Sequence, residues 1–367
     1  MASPIRELFD SMKILLISLA GIGDTLIATP LIHELRQHFP GAQLDVFVLW
    51  AGSRDLIEDN PHVSRVYQKN LITAGAAASL PFLWSLRRRR YDVTINTHPQ
   101  SRLAYRAIAR VIGAPLRLSH AYDHHGWLDR RCVNRTVPQD YSIHGIENNL
   151  RLLELLDLKP ALPSHEMELF LSDQEIAWAH DYVKQQGLQG RRLLGVHVGS
   201  GGTKNLALKR WPLDHYKQLL QAFRKSHPEA PVLLFGGPGE EAAHRELTGF
   251  LQDTEVLVPA TGNIRQAAAL MRSCHSFLSV DTALMHLAAA MKVPHQLVIE
   301  APTLNVTNLP WGNPHRIIPN PAVAGRNLEF YRYDGKPIKG TDEELKAIMA
   351  SVSVDSVLQV LDEVFRE

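Results

Sequence analysis

Residues 12–18, MKILLIS, form an unbroken β-rich apolar run that ends in a glycine turn at Gly21 and Gly23 and passes into helical periodicity as far as residue 38. The succession recurs. Short runs of buried type at 43–49 and 91–96 are followed by a helical stretch at 101–112 that Gly113 stops. Beyond residue 190, strands predicted at 193–197, 231–235, 255–258 and 276–280 alternate with helices at 213–226, 240–251, 264–272 and 283–291. Strands without a polar side cannot lie in a sheet with one wet face, so the pattern requires parallel sheets covered by helices on both faces. With 367 residues, the chain exceeds a single core, since a domain holds about 150. The predicted fold is α/β: two doubly wound, Rossmann-like domains facing a cleft, with the site built on loops at the carboxyl ends of the strands.

The proline-bearing segment KPALPSH at 159–165 is the predicted linker. It sets a first domain over residues 1–165, a second over 166–345 and a closing C-terminal helix over 346–367. Lys plus Arg (39) balance Asp plus Glu (38), so no global field draws the chain to nucleic acid. The charge is local instead. From 87 to 135, eleven arginines stand against Asp92, Asp123 and Asp129, and Phe82-Leu83-Trp84 directly precede four of them in a row. That mixture suits the interface of an anionic bilayer, the other reading being a solvated helix face. Cys132 and Cys274 cannot form a disulfide framework, which fits a reducing, cytoplasmic setting. The apolar stretch 74–86, interrupted by Pro81, falls short of the roughly 20 residues that span a bilayer.

Four strand-end motifs carry the chemistry. Gly21-Ile22-Gly23-Asp24-Thr25 opens a helix but lacks the third glycine of a dinucleotide fingerprint; Asp24 is either a helix cap or a general base. The run 197–203, with Gly199, Ser200 and Gly201, followed by Lys209-Arg210-Trp211-Pro212, offers close amides and a point charge to phosphate without being a Walker loop. Asp281-Thr282-Ala283 places a carboxylate and helix N-terminal amides together, while His286 falls on an apolar face as a core histidine. Gly236 to Glu241 brings a carboxylate of the kind that accepts from a ribose diol, or simply a helix start.

These motifs, with Thr29-Pro30, His286 to Ala290, Ala301-Pro302-Thr303 and Pro310-Trp311-Gly312, resemble glycosyltransferase family 9, the ADP-heptose lipopolysaccharide heptosyltransferases of GT-B fold, in the expected order from about residue 12 to 360. The resemblance implies inverting, metal-independent transfer of heptose from ADP-L-glycero-D-manno-heptose to an inner-core sugar on a lipid-linked acceptor, at the inner face of the inner membrane and with no cofactor. It implies Asp24 as base, and Gly23, Ser200, Lys209, Glu240, Glu241, Asp281, Thr282 and Ala283 as donor contacts. Arg87, Arg88, Arg102 and Arg117 are the expected acceptor contacts, from the local basic excess. Ala301 and Ala283 stand where the family usually has glycine, and the 199–208 loop looks longer. Another nucleotide-sugar donor, a protein acceptor, or a nucleotide-sugar epimerase of the same fold are the alternatives.

Overall fold

The computed structural model describes residues 12–201, 206–326 and 340–367. The chain divides into two compact units between Phe170 and Leu171. In the first unit, strands β1 (Lys13–Ser18), β2 (Gln43–Val48), β3 (Arg65–Gln68), β4 (Val93–Asn96), β5 (Leu116–Ala121) and β6 (Arg135–Pro138) form one parallel sheet in the order β3-β2-β1-β4-β5-β6. In the second, β7 (Leu193–His197), β8 (Val232–Phe235), β9 (Val256–Leu257), β10 (Cys274–Ser279), β11 (His295–Ile299) and β12 (His315–Ile318) run parallel in the order β12-β11-β10-β7-β8-β9. Both sheets are doubly wound, and each reverses direction beside its first strand, between β1 and β4 or between β7 and β10. At such a switch point the flanking loops part and leave a crevice.

The apolar strands pack as their composition requires: Ile14 to Ile17 are wholly buried. Around β7, Trp211, Tyr216, Phe223, Leu361 and Phe365 share one core, so the terminal helices Asp342–Ala350 and Val354–Arg366 close over the second unit. The Trp211 indole fixes them by donating to the Val352 carbonyl at 3.0 Å.

Two local expectations are corrected. The helix expected from 24 to 38 is two, Ile22–Ile27 and Thr29–His38, because Pro30 has no amide to continue the ladder and instead starts the second. The proline-bearing 159–165 segment is not a free linker. The wholly buried Glu34 accepts from the amides of Ala161 and Leu162 at 2.9 and 2.8 Å and meets the His165 ring at 2.9 Å, while the Glu168 amide donates to Thr29 at 2.9 Å. The segment is thus tied to the Thr29–His38 helix at Lys159, Ala161, Leu162, His165 and Glu168. Burial opposes the Glu34 charge, yet the two amides and His165 together hold its carboxyl below the usual range.

Candidate active site

In the first unit the turn after β1 sets Asp24. Gly21, not Asp24, caps the Ile22–Ile27 helix; Asp24 sits in its first turn and accepts the Gly21 amide on Oδ2 at 2.6 Å. A Cβ on Gly21 would lie 2.9 Å from that oxygen, which explains the glycine. Thr25 bonds to Ser53 at 3.0 Å and the Trp50 indole donates to the Ala20 carbonyl at 2.6 Å, bracing the turn against the next crossover. Across the switch point lies the loop after β4. Its Gln100 and Ser101 carbonyls accept from the buried Arg106 guanidinium at 2.9 and 2.8 Å, and Arg106 is itself paired with Asp129. Arg102 caps the helix that follows, Leu103–Ile112. Asp24 and Arg102 follow the carboxyl ends of adjacent parallel strands, β1 and β4, and both act on the Tyr105 phenol, which burial raises, Arg102 pulls back and Asp24 pushes further up.

The other three expected acceptor arginines lie elsewhere. Arg87 and Arg88 end the helix that delivers the chain to the amino end of β4, and Arg117 is the second residue of β5. They sit at the sheet edge opposite Asp24, about 20 Å away along a six-residue strand. The Arg117 guanidinium is also committed to the Ala114 and Cys132 carbonyls, both at 2.7 Å. Only a fold assigns sheet ends, so a count of charge along the sequence could not separate Arg102 from them.

The second unit gathers four strand ends. The Lys209 ammonium meets Asp281 Oδ2 at 3.1 Å, and the Thr303 hydroxyl donates to the same oxygen at 2.7 Å. Burial by itself would raise the Asp281 carboxyl, but Lys209, Thr303 and His286 together hold it below its ordinary range. The adjacent Thr282 is the cap of the Ala283–Ala290 helix, accepting from the Met285 amide at 3.3 Å, so Asp281 is spared for Lys209. Thr282 also contacts the ring of His197, the last residue of β7, at 3.1 Å. Burial first, then His244, Arg210 and Lys209, drives His197 down to about 3, so it is a neutral strut. The amides opening the Ala283–Ala290 helix stand beside the ammonium, a combination of donors suited to an anionic group.

Ser200 serves Arg210, which donates to its hydroxyl at 3.1 Å and its carbonyl at 3.0 Å and reaches Glu240 at 3.4 Å. Glu240 accepts the Gly237 amide at 2.9 Å and crowds Gly199, where a Cβ would lie 2.3 Å from its carboxylate. Glu241 is exposed, paired with Arg245 at 3.7 Å. Of the two glutamates, then, Glu240 belongs to the strand-end turn. We expect Glu240→Ala to weaken ADP binding several-fold and Glu241→Ala to leave it unchanged, measured by calorimetry. Gly202 and Thr203 of the loop lie outside the described residues. Thr303 and His197 lie in motifs that the sequence singled out but were not named as site residues: His197 ends β7 and Thr303 lies just past β11, and only the sheet order brings them to Asp281 and Thr282.

Among the described residues one group has the composition of a metal site: His33, His62 and Glu168. Glu168 lies 2.7 Å from His33 and 3.6 Å from His62, and the two rings stack at 3.9 Å and 16°. Nearly parallel rings aim their nitrogen lone pairs side by side, not at a common point, so the group is a clasp on the 159–168 segment.

The family model described as "Glycosyltransferase family 9 (heptosyltransferase)" matches residues 81–324, well over half of the chain. The chain belongs to glycosyltransferase family 9. It is a glycosyltransferase with the GT-B arrangement of two Rossmann-like domains. As a family 9 chain it is 26% identical over 284 residues to lipopolysaccharide heptosyltransferase 3 of Escherichia coli K12, covering 74% of this chain and 78% of that one. Its fold matches the family 9 glycosyltransferase of Veillonella parvula (TM-score 0.75, 19% identity, 97% of each chain). It also matches the E. coli ADP-heptose lps heptosyltransferase II (TM-score 0.69, 22% identity, 96% of this chain and 98% of that one).

Proposed function

We propose that this family 9 enzyme transfers heptose, with inversion, from ADP-L-glycero-D-manno-heptose to an inner-core sugar of a lipid-linked acceptor at the inner face of the inner membrane. The first unit takes the acceptor and the second the donor. The observation that carries the reading is Asp24, a partly exposed carboxylate locked by the Gly21 amide at a switch point, with Arg102 following the neighbouring strand at the same sheet end. As the acceptor hydroxyl attacks the anomeric carbon, Asp24 takes its proton, a contribution of typically 10² to 10⁴-fold. Arg102 attracts an anionic group of the acceptor. The bond to ADP breaks with the electron pair leaving on the diphosphate, whose growing charge meets Lys209 and the amides of Thr282 and Ala283. Asp281 fixes the ammonium there, and Glu240 takes a ribose hydroxyl.

The test is ADP release from ADP-heptose with and without a deacylated inner-core acceptor, with ADP-glucose and UDP-sugars in parallel and the product's anomeric configuration read by NMR. Release that needs the acceptor supports transfer; turnover of donor alone would point to an epimerase. Faster turnover of another donor changes the sugar. Because fixed cationic and dipolar groups neutralise the leaving diphosphate, turnover is expected to persist in excess EDTA. Complete loss that Mg²⁺ restores would overturn the charge assignment.

A further inference from the structure

Ten large apolar side chains are exposed among the described residues, and seven belong to one stretch of the first unit: Ile72, Leu80, Trp84, Leu103, Val111, Trp127 and Leu128. The stretch supplies three helices, Gly75–Arg87, Leu103–Ile112 and Trp127–Cys132, the second packed against both others. They cross between β3, β4, β5 and β6, moving in one direction across the sheet, so right-handed connections put all three in one layer on one face. Their inward residues, Leu83, Leu86, Ala109 and Ile112, fill the core. Phe82-Leu83-Trp84 is therefore not one outward apolar block: Leu83 is buried, and Trp84, 54% exposed, stands outside with Leu80.

The Gly75–Arg87 helix is unusual in what it leaves in water. Its first four residues, Gly-Ala-Ala-Ala, are exposed, as are Leu80, Pro81 and Trp84, an apolar surface on a helix that buries only Leu83 and Leu86. Each exposed tryptophan carries an arginine. The Arg87 guanidinium lies over Trp84 at 5.5 Å and donates to the Val111 carbonyl at 2.9 Å, joining two of the helices; Arg131 lies over Trp127 at 5.0 Å. Arg88, Arg89, Arg90, Arg110 and Arg130 are exposed around them. Negative charge is scarce: from residue 72 to 132 the acidic residues are Asp92, which accepts the Lys13 amide at 2.8 Å, Asp123, and the buried Asp129, which pairs with Arg106.

We propose that the outer surface of this three-helix layer docks on an anionic lipid bilayer, with Trp84 and Trp127 entering the headgroup region and the arginines meeting lipid phosphates. The proposal rests on the reading that the acceptor is lipid-held. A tryptophan with an arginine on its ring is apolar at one end and cationic at the other, which matches the headgroup boundary. No described helix is long and apolar enough to cross a membrane, so the contact is lateral. Each basic residue near an anionic surface strengthens binding by about fivefold, an attraction that falls off within a Debye length of ~8 Å at physiological salt.

The test uses the full chain and sedimentation with phosphatidylcholine vesicles, with and without phosphatidylglycerol, at low and physiological salt. We expect the wild type to bind the anionic vesicles, less at higher salt, with a blue shift of tryptophan emission. Trp84→Ser with Trp127→Ser, and separately Arg130→Ser with Arg131→Ser, should each cut binding tenfold or more. Leu80→Gln with Leu128→Gln, which leaves both tryptophans in place, serves if the serine pair melts early. All these variants should turn over a deacylated acceptor as the wild type does. A wild type that ignores anionic vesicles, or variants that bind like it, would overturn the proposal. So would a tryptophan pair that changes the oligomeric state and leaves vesicle binding intact, which would make the face a contact between copies. If the wild type binds vesicles but transfers no heptose to the deacylated acceptor, the functional reading fails and the docking face stands.

Discussion

Asp24→Asn is expected to lower kcat by ~10² or more while ADP affinity stays within a few-fold. The substitution is close to a pure test of basicity. An asparagine oxygen can still accept the Gly21 amide that Asp24 now holds at 2.6 Å, so the helix start and the turn survive. What disappears is the capacity to take a proton from the attacking hydroxyl. Asp24→Ala should lose at least as much in kcat and also some stability, through the orphaned amide. Turnover of Asp24→Asn near the wild-type rate would remove Asp24 from the chemistry and leave it as a structural carboxylate.

Lys209→Ala should have two separable effects. The ammonium lost from the phosphate site weakens ADP binding by about 1.5 to 3 kcal/mol, the range for hydrogen bonds to charged groups. The same change strands Asp281, which is buried with Lys209 at 3.1 Å, and breaking a buried pair on one side costs about 3 to 5 kcal/mol of stability. Adding Asp281→Asn should recover most of the stability and none of the affinity. The pH dependence distinguishes the two states further. In the wild type the folded Asp281 pKa is lowered, so its contribution is present above the unfolded pKa and lost as pH falls through the folded value. Lys209→Ala removes the strongest influence lowering Asp281, leaving burial opposed only by Thr303 and His286, and we expect the folded pKa to move up past the unfolded one. Stability of the single variant should then decline as pH rises above the ordinary carboxylate range, the reverse of the wild-type slope at this residue. Urea midpoints across that rise in pH, with unchanged ADP affinity or an unchanged slope as the contrary results, decide the matter.

The central strands were legible in the sequence because they are buried on both faces: β1, β2, β7 and β8 are nearly uninterrupted apolar runs. The edge strands β3, β6 and β12 were not, and neither were β5 and β11, although the short edge strand β9 was. β3, RVYQ, and β6, RTVP, keep arginines and threonine in water and show neither an apolar run nor clean alternation. The same asymmetry governs the site. Asp24, Lys209 and Asp281 stand in glycine-rich or helix-opening contexts that announce a strand end, so local pattern was enough to single them out. That Lys209 pairs with Asp281, that Thr303 shares its oxygen, and that Arg102 and not Arg117 lies at the Asp24 end are facts of sheet order. The prolines of 159–165 looked like punctuation because their anchor, Glu34, lies more than a hundred residues away in the chain.

That anchor decides where the chain can be cut. A fragment of the first unit ending at Leu158, after the last helical turn, would leave a wholly buried carboxylate without the two amides and the imidazole that solvate it. Such a fragment should be poorly soluble, whereas one extended through Phe170 keeps Glu34 satisfied and the Glu168 clasp intact. Protease added to the whole protein should, for the same reason, spare 159–168 despite its loop-like sequence, since a bound backbone cannot enter a protease cleft.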